Sequence, residues 1–404
     1  MMRLEKAGTA LAGSLRANNV ARGLFAMALV VLLALFAGER RAAAYPQWQF
    51  TSGAARCNVC HFAPGGGGLP NTHGRDASGE DLSTFDSDGA FLRGMLKLPS
   101  RFAVGGDLRA AIASQNVQDP NGTSVAAFPM QADLQLRFAI SDAFSFYGTG
   151  GLRGQSRANE DIVPQQNYQP VSTSRLVSRE HWFMFQPDPQ GLYVRVGRYY
   201  APYGLRLAEH FTYVRRDLGF DLMEESYNAS VGVTANEWEI HGTLFMPDYL
   251  RHIGSEEKGA AVYFERRLFN ETGAIGLQSR YASREGIARV GSGLVLKQYF
   301  EPIKTLLMTE ANLVRLVPDN VNGSTQFVGL VGASVLPARG FMFTVFGERS
   351  QEDINVKQSA WDAATGMFSW FPVAHFEFQL MGRLQYPEGG TLAETLFFQV
   401  HYYL

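Results

Sequence analysis

Alternation with a period of two runs through most of the chain beyond residue 99. Between Arg101 and Ser114, the residues Phe102, Val104, Gly106, Leu108, Ala110 and Ile112 share one face, while Asp107 and Arg109 take the other. Met130, Ala132, Leu134, Leu136, Phe138 and Ile140 alternate with Gln131, Asp133, Gln135 and Arg137. Near the end, Phe376, Phe378, Leu380, Leu384 and Tyr386 alternate with His375, Glu377, Gln379, Arg383 and Gln385. The last residues, Leu396, Phe398, Val400, Tyr402 and Leu404, share a face against Gln399 and His401. Successive side chains of a strand point to opposite faces, so this pattern predicts strands with one apolar and one polar side. Such strands fall near 101–114, 128–140, 143–155, 174–186, 190–200, 225–234, 237–246, 257–268, 271–284, 288–299, 302–317, 324–336, 340–350, 374–386 and 392–404.

Two architectures accept strands of this kind: a soluble sheet packed on a core, and a closed barrel in a membrane. The polar faces carry charges of both signs, as a water-filled lumen would. Aromatic residues also gather at strand ends (Tyr199-Tyr200, Trp370-Phe371, Tyr402-Tyr403), where interfacial girdles sit. The fold expected is therefore all-β: a transmembrane antiparallel β-barrel over residues 99–404, of the outer-membrane kind. Bacterial barrels close with even strand numbers, so fourteen or sixteen strands are expected, with one more hidden in 202–222 or Trp361–Trp370. Tight turns stand at Pro187-Asp188-Pro189 and Pro337-Ala338-Arg339-Gly340, and polar stretches at 115–124, 156–173 and 351–365 read as extracellular loops.

The start of the chain differs. Arg3, Lys6, Arg16 and Arg22 precede an apolar run from Gly23 to Gly38, and Ala42-Ala43-Ala44 follows before Tyr45. This is the order of a secretory signal peptide over residues 1–44, with cleavage after Ala44; an uncleaved anchor is the alternative, because Arg40 and Arg41 lie close to the cut. Removing this leader and its net +4 takes the formal charge from −2 to −6, which argues against nucleic acid as a partner. No later segment approaches 18 consecutive apolar residues, so a helical membrane bundle is excluded.

Residues 45–98 hold the chemistry. Cys57-Asn58-Val59-Cys60-His61 contains the only two cysteines of the 404 residues. The spacing is that of covalent haem c attachment, with the thiols taking the vinyl groups and His61 the iron. A Cys-x-x-Cys redox pair or local disulfide is the competing interpretation. About 50 residues bury little surface, so a haem would form much of the segment's core. The continuation Phe62-Ala63-Pro64-Gly65-Gly66-Gly67-Gly68-Leu69-Pro70-Asn71-Thr72-His73-Gly74 resembles an N-terminal haem-binding motif of exported bacterial proteins, often found ahead of a barrel. In that motif the haem signature precedes a proline, a glycine run and Asn-x-Tyr-Gly; here His73 replaces the tyrosine. The substitution makes His73 a candidate distal iron ligand, with Met95 or an open position as alternatives. Asp86-Ser87-Asp88-Gly89 echoes a calcium loop but lacks the far glutamate, and reads as a solvated linker. His181, His210, His241, His252, His375 and His401 show no metal-ligand spacing.

A second resemblance lies at Gly197-Arg198-Tyr199-Tyr200-Ala201-Pro202-Tyr203-Gly204-Leu205-Arg206, leading to His210, Tyr213, Arg215 and Arg216. It is similar to a stretch of substrate-specific porins, which implies an inward fold that narrows the pore; a plain surface loop is the alternative. Together these features imply an outer-membrane porin-like barrel carrying an N-terminal c-type cytochrome motif, with one covalent haem c. The function expected is electron transfer at or across the outer membrane with redox partners, multihaem cytochromes among them. The alternative is a porin for small solutes, anions among them, with the haem segment as plug, sensor or assembly aid. An enzyme such as a peroxidase ranks below both.

Overall fold

A computed structural model describes residues 56–116, 124–153, 176–221, 224–249, 255–319 and 321–404. The expected signal peptide, the loop expected at 156–173 and most of that expected at 115–124 lie outside the described residues. The remainder forms one antiparallel sheet that closes on itself. The first strand, β1 (Phe102–Asn116), pairs on one side with β2 (Ser124–Ala139) and on the other with the last strand, Ala393–Tyr403. Closure leaves no sheet edge, which is what lipid requires of a spanning β structure.

Sixteen strands make the circuit. After β3 (Phe144–Arg153), two pieces, Leu176–Val177 and His181–Phe185, pair with the same neighbour and constitute one interrupted strand, β4. Next come β5 (Leu192–Tyr199) and β6 (Ser226–Thr234). All fifteen predicted segments overlie a strand, and the sixteenth is Ala360–Trp370. It begins inside the stretch read as a loop at 351–365, which leaves 352–359 as the connection between strands. The other stretch considered for a strand, 202–222, holds only a short helix, Tyr213–Arg216.

Burial runs opposite to that of a soluble sheet. Leu108, Ile112, Leu134, Val194, Val196, Leu244, Leu277 and Leu313 are exposed on the outer wall. Glu239, His241 and Glu265 are fully buried inside, with Arg267 and Lys297 nearly so. An apolar belt outside and charges inside place the wall in lipid and the polar face in the lumen. Rings cluster at one rim, where Trp370 stacks on Phe378 at 5.5 Å, Phe376 meets Tyr402 at 6.0 Å and Phe102 meets Phe138 at 4.9 Å. This is the girdle expected at an interface. Tyr199 does not belong to it. The ring is buried in the lumen, and its hydroxyl donates to the Arg195 carbonyl and lies within hydrogen-bond distance of Ser230 Oγ, each at 2.8 Å.

The girdled rim also carries the short turns 186–191, 235–237, 339–340 and 371–375, which marks it as periplasmic. Two segments fill the lumen. From the opposite end, residues 200–221 fold inward. Their Gly204 and Leu205 amides donate to Gln278 Oε1 and Glu310 Oε2 at 2.6 and 2.8 Å, and the Tyr213 amide donates to Glu348 Oε2 at 2.6 Å. The other segment is 56–98, which crosses the periplasmic mouth.

Candidate functional site

The periplasmic segment is held to the rim at many points. Asn58 Nδ2 donates to the Pro189 carbonyl at 2.6 Å and to Thr234 Oγ1 at 3.3 Å. The Thr84 amide donates to the Phe371 carbonyl at 2.8 Å, and Ala374 N to Ser87 Oγ at 2.7 Å. Asp86 pairs with Arg339, and Gly89 O meets His375 Nε2 at 2.6 Å. The stretch expected to be a solvated linker is therefore docked on two of the barrel's turns, because its polar groups find partners there that replace water.

Within this segment, Cys57–Val59 forms one 3₁₀ turn, and the Cys60 and His61 amides donate back to the Cys57 carbonyl at 3.2 and 3.0 Å. Two thiols and an imidazole therefore leave a single turn. The following loop closes on it. Asn71 caps the helix α1 (Thr72–Ala77), accepting from the Gly74 amide, while its own amide donates to the Cys60 carbonyl at 2.8 Å. Gly74 is required by this packing, since a Cβ there would lie 2.3 Å from the Cys60 carbonyl oxygen. Gly66 adopts φ +78 and passes against the Cys57 side chain, a conformation that favours a residue without a Cβ.

Cys57, Cys60 and His61 line one cavity of about 590 Å³ inside the barrel. Its other walls come from the glycine loop, from Glu180, Arg195 and Tyr199, from His401 on the last strand, and from the inward fold at Pro202, Arg206 and His210. Both cysteines are free thiols. Burial pushes the Cys60 thiol up to about 12, and Cys57 is raised for the same first cause. A redox-active Cys-x-x-Cys pair needs a lowered thiol, so the environment runs against that interpretation. Two thiols and an imidazole from one turn, facing a cavity of cofactor size, fit a covalently held haem.

The structure does not bring every sequence-derived candidate here. His73 is exposed on α1 and does not line the cavity, because the Asn71 cap sets the helical phase that turns it outward. Met95 lies in the rim segment, 80% exposed. Cavity residues that the motif did not indicate are Arg195, Tyr199, His210 and His401. His401 is clamped, with Nδ1 3.0 Å from Glu377 and Nε2 3.3 Å from Asp107. His210 is lowered to about 4, first by burial and then by Arg215, Arg109 and Arg179. Their one sequence signal is position, on the lumen face of a strand or in the inward fold.

The floor and the inward fold are joined by charge. Arg206 donates to the Gly65 carbonyl at 3.4 Å and pairs with Glu239 at 2.7 Å; Glu239 also holds Arg267 at 2.8 Å and His241 at 3.3 Å. Lys297 and Glu265 pair beside them at 2.8 Å. Buried charges persist only when paired in this way.

No family model matches the sequence, and no curated protein matches it. Solved structures do match in fold. OmpT, an outer membrane protein of Vibrio cholerae, superposes with a TM-score of 0.57 at 9% identity, covering 76% of this chain and 99% of that one. An anion-selective porin from Comamonas acidovorans gives 0.54 at 11%, covering 75% and 99%. OprB of Pseudomonas putida gives 0.54 at 10%, covering 75% and 94%. At such identities the likeness concerns the barrel and carries nothing about haem. The protein has the sixteen-stranded architecture of outer-membrane porins and channels, with its apolar wall in the membrane.

Proposed function

We propose that this protein is a porin-type outer-membrane barrel, closed by its own N-terminal segment, that holds a covalent haem c in its lumen and transfers electrons at the membrane. The observation that supports this most is position: Cys57, Cys60 and His61 line a cavity in a lumen otherwise filled by the inward fold and the periplasmic segment. Cys57 and Cys60 would hold the haem through thioether bonds and His61 through the iron, and the bound group would supply one-electron exchange. Neither His73 nor Met95 is assigned the distal position. Around the site stand paired charges (Arg206–Glu239–Arg267, Lys297–Glu265) and buried rings (Tyr147, Trp182, Tyr199). A single haem does not span a hydrocarbon core of roughly 30 Å, so redox partners such as multihaem cytochromes complete the path. The test is a reduced-minus-oxidised spectrum of protein matured with the haem c machinery, beside Cys57→Ala/Cys60→Ala. A covalent haem lost in the variant, with loss of electron transfer to a soluble acceptor, is expected. Wild-type protein without covalent haem would discard this proposal.

A second reading is a channel for small solutes in which residues 56–98 act as plug. The fold-level likeness to porins favours it more directly than it favours haem, and the cavity presents Arg109, Arg179, Arg195 and Arg206 to any anion that enters. Ion-selective conductance in planar bilayers that persists in Cys57→Ala supports this reading; a silent full-length protein argues against it.

A further inference from the structure

The lumen's cations are paired almost throughout. Arg206 and Arg267 meet Glu239, Lys297 meets Glu265, Arg280 meets Glu257, and Arg383 meets Glu348. Arg137, over the Phe62 ring at 4.3 Å, and Arg195 depart from this rule, and of the two Arg195 is the one that lines the cavity. It stands on β5, between the lipid-facing Val194 and Val196, and is only 3% exposed. Its guanidinium lies on the Tyr199 ring at 3.6 Å and near the Trp182 ring at 5.7 Å. Nε has no hydrogen-bond partner. Glu180 on the same cavity wall feels the charge of Arg195, but no ion pair at bonding distance joins the two. The two rings stabilise the charge but accept none of its N–H donors. A buried donor without an acceptor is costly, by about 1–3 kcal/mol in general. Arg195 also lines the cavity shared by Cys57, Cys60 and His61.

We propose that Arg195 is a carboxylate-binding residue of the lumen cavity. The planar guanidinium matches a carboxylate with two parallel hydrogen bonds, and the rings of Tyr199 and Trp182 fix its plane in advance. The carboxylate has two possible sources: a small free carboxylate entering the lumen, or a carboxylate borne by the group attached at Cys57 and Cys60. Only the second source rests on the haem reading.

Trp182 lies against Arg195 and serves as the reporter. Full-length protein made without haem maturation is titrated with succinate, and fluorescence is read against Trp182→Phe to isolate that indole. The expected result is a saturable change in wild type that weakens at least tenfold in Arg195→Gln and is largely retained in Arg195→Lys. Succinate binding to haem-matured protein, followed by titration calorimetry because a nearby haem quenches indole emission, separates the sources. Loss of the succinate response there assigns the site to the attached group's own carboxylate, and an unchanged response assigns it to a free anion. The proposal is overturned if haem-free wild type shows no saturable response, or if Arg195→Gln binds succinate as wild type does. If maturation attaches no haem, the haem reading fails while the haem-free titration still decides on Arg195.

Discussion

At the scale of single residues, the site depends as much on missing atoms as on present ones. Gly74 lets α1 rest on the Cys60 carbonyl, and a valine there would drive its Cβ against backbone that is hydrogen-bonded to Asn71. Overpacking of this kind costs roughly 1–3 kcal/mol, so Gly74→Val is expected to lift the segment locally while the barrel stays closed. Cys60 is the convenient probe, being buried with its thiol raised to about 12. In protein made without haem maturation, alkylation of Cys60 at neutral pH should be slow with Gly74 and at least tenfold faster in Gly74→Val; equal rates would show that the contact does not matter. His210 offers a pH test. Its folded value, lowered to about 4, lies below its ordinary 6.5, so the unfolded chain binds the proton first as pH falls. Its contribution is unaffected above pH 6.5 and turns destabilising between about 6.5 and 4. His210→Gln should flatten the decline in thermal midpoint over that window. The Cys-x-x-Cys-His spacing was readable from the chain alone. The outward turn of His73 was not, because it depends on where α1 begins, and the Asn71 cap that decides this is satisfied only through contacts with the Cys57–Cys60 turn.

Elements show why alternation revealed most of the barrel and left one strand, placed at Trp361–Trp370 or 202–222, to the even-number argument. Where large apolar residues face lipid, as Leu134 and Leu136 do, the contrast with Asp133 and Gln135 is plain. In Ala360–Trp370 the contrast collapses: Ala364 and Gly366 face outward, while Ala363 and Met367 are buried inside. Small residues outside and an apolar one inside erase the period-two signal although the backbone pairing is intact. The inward fold was legible only as a resemblance, since its anchors are residues more than seventy positions away, such as Gln278 and Glu310. Glu239 ties this fold to the floor of the lumen through Arg206. Replacing it with alanine strands Arg206 and Arg267 in a buried place, and removing one partner of a buried pair costs roughly 3–5 kcal/mol. Glu239→Ala should therefore lower unfolding stability by about that amount in detergent. Glu237→Ala, which removes an exposed pair with Arg266, should change it by less than about 1 kcal/mol. Similar losses in both variants would mean that the buried network does not hold the inward fold.

At the scale of the whole molecule, two segments from opposite ends of the barrel meet in its interior. The inward fold brings Pro202 and Arg206 against Gly65, and Leu69 inserts among Tyr147, Trp182, Tyr193 and Tyr199. A sixteen-stranded barrel is wide enough to conduct when empty, so what passes depends on these two fillers and not on the wall. They are unequal. The inward fold is bonded to lumen side chains on several strands, whereas residues 56–98 are held mainly to turns at the periplasmic rim. Removing residues 45–98 while retaining residues 1–44 should leave the barrel able to assemble and expose the floor of the lumen. Single-channel current in planar bilayers should then rise several-fold over the full-length protein, and the open lumen should respond to anions through Arg195 and Arg206. Equal current from both proteins would show that the segment does not close the barrel. In that case the filled lumen would no longer count in favour of electrons over solutes, and the choice would rest on the haem spectrum alone.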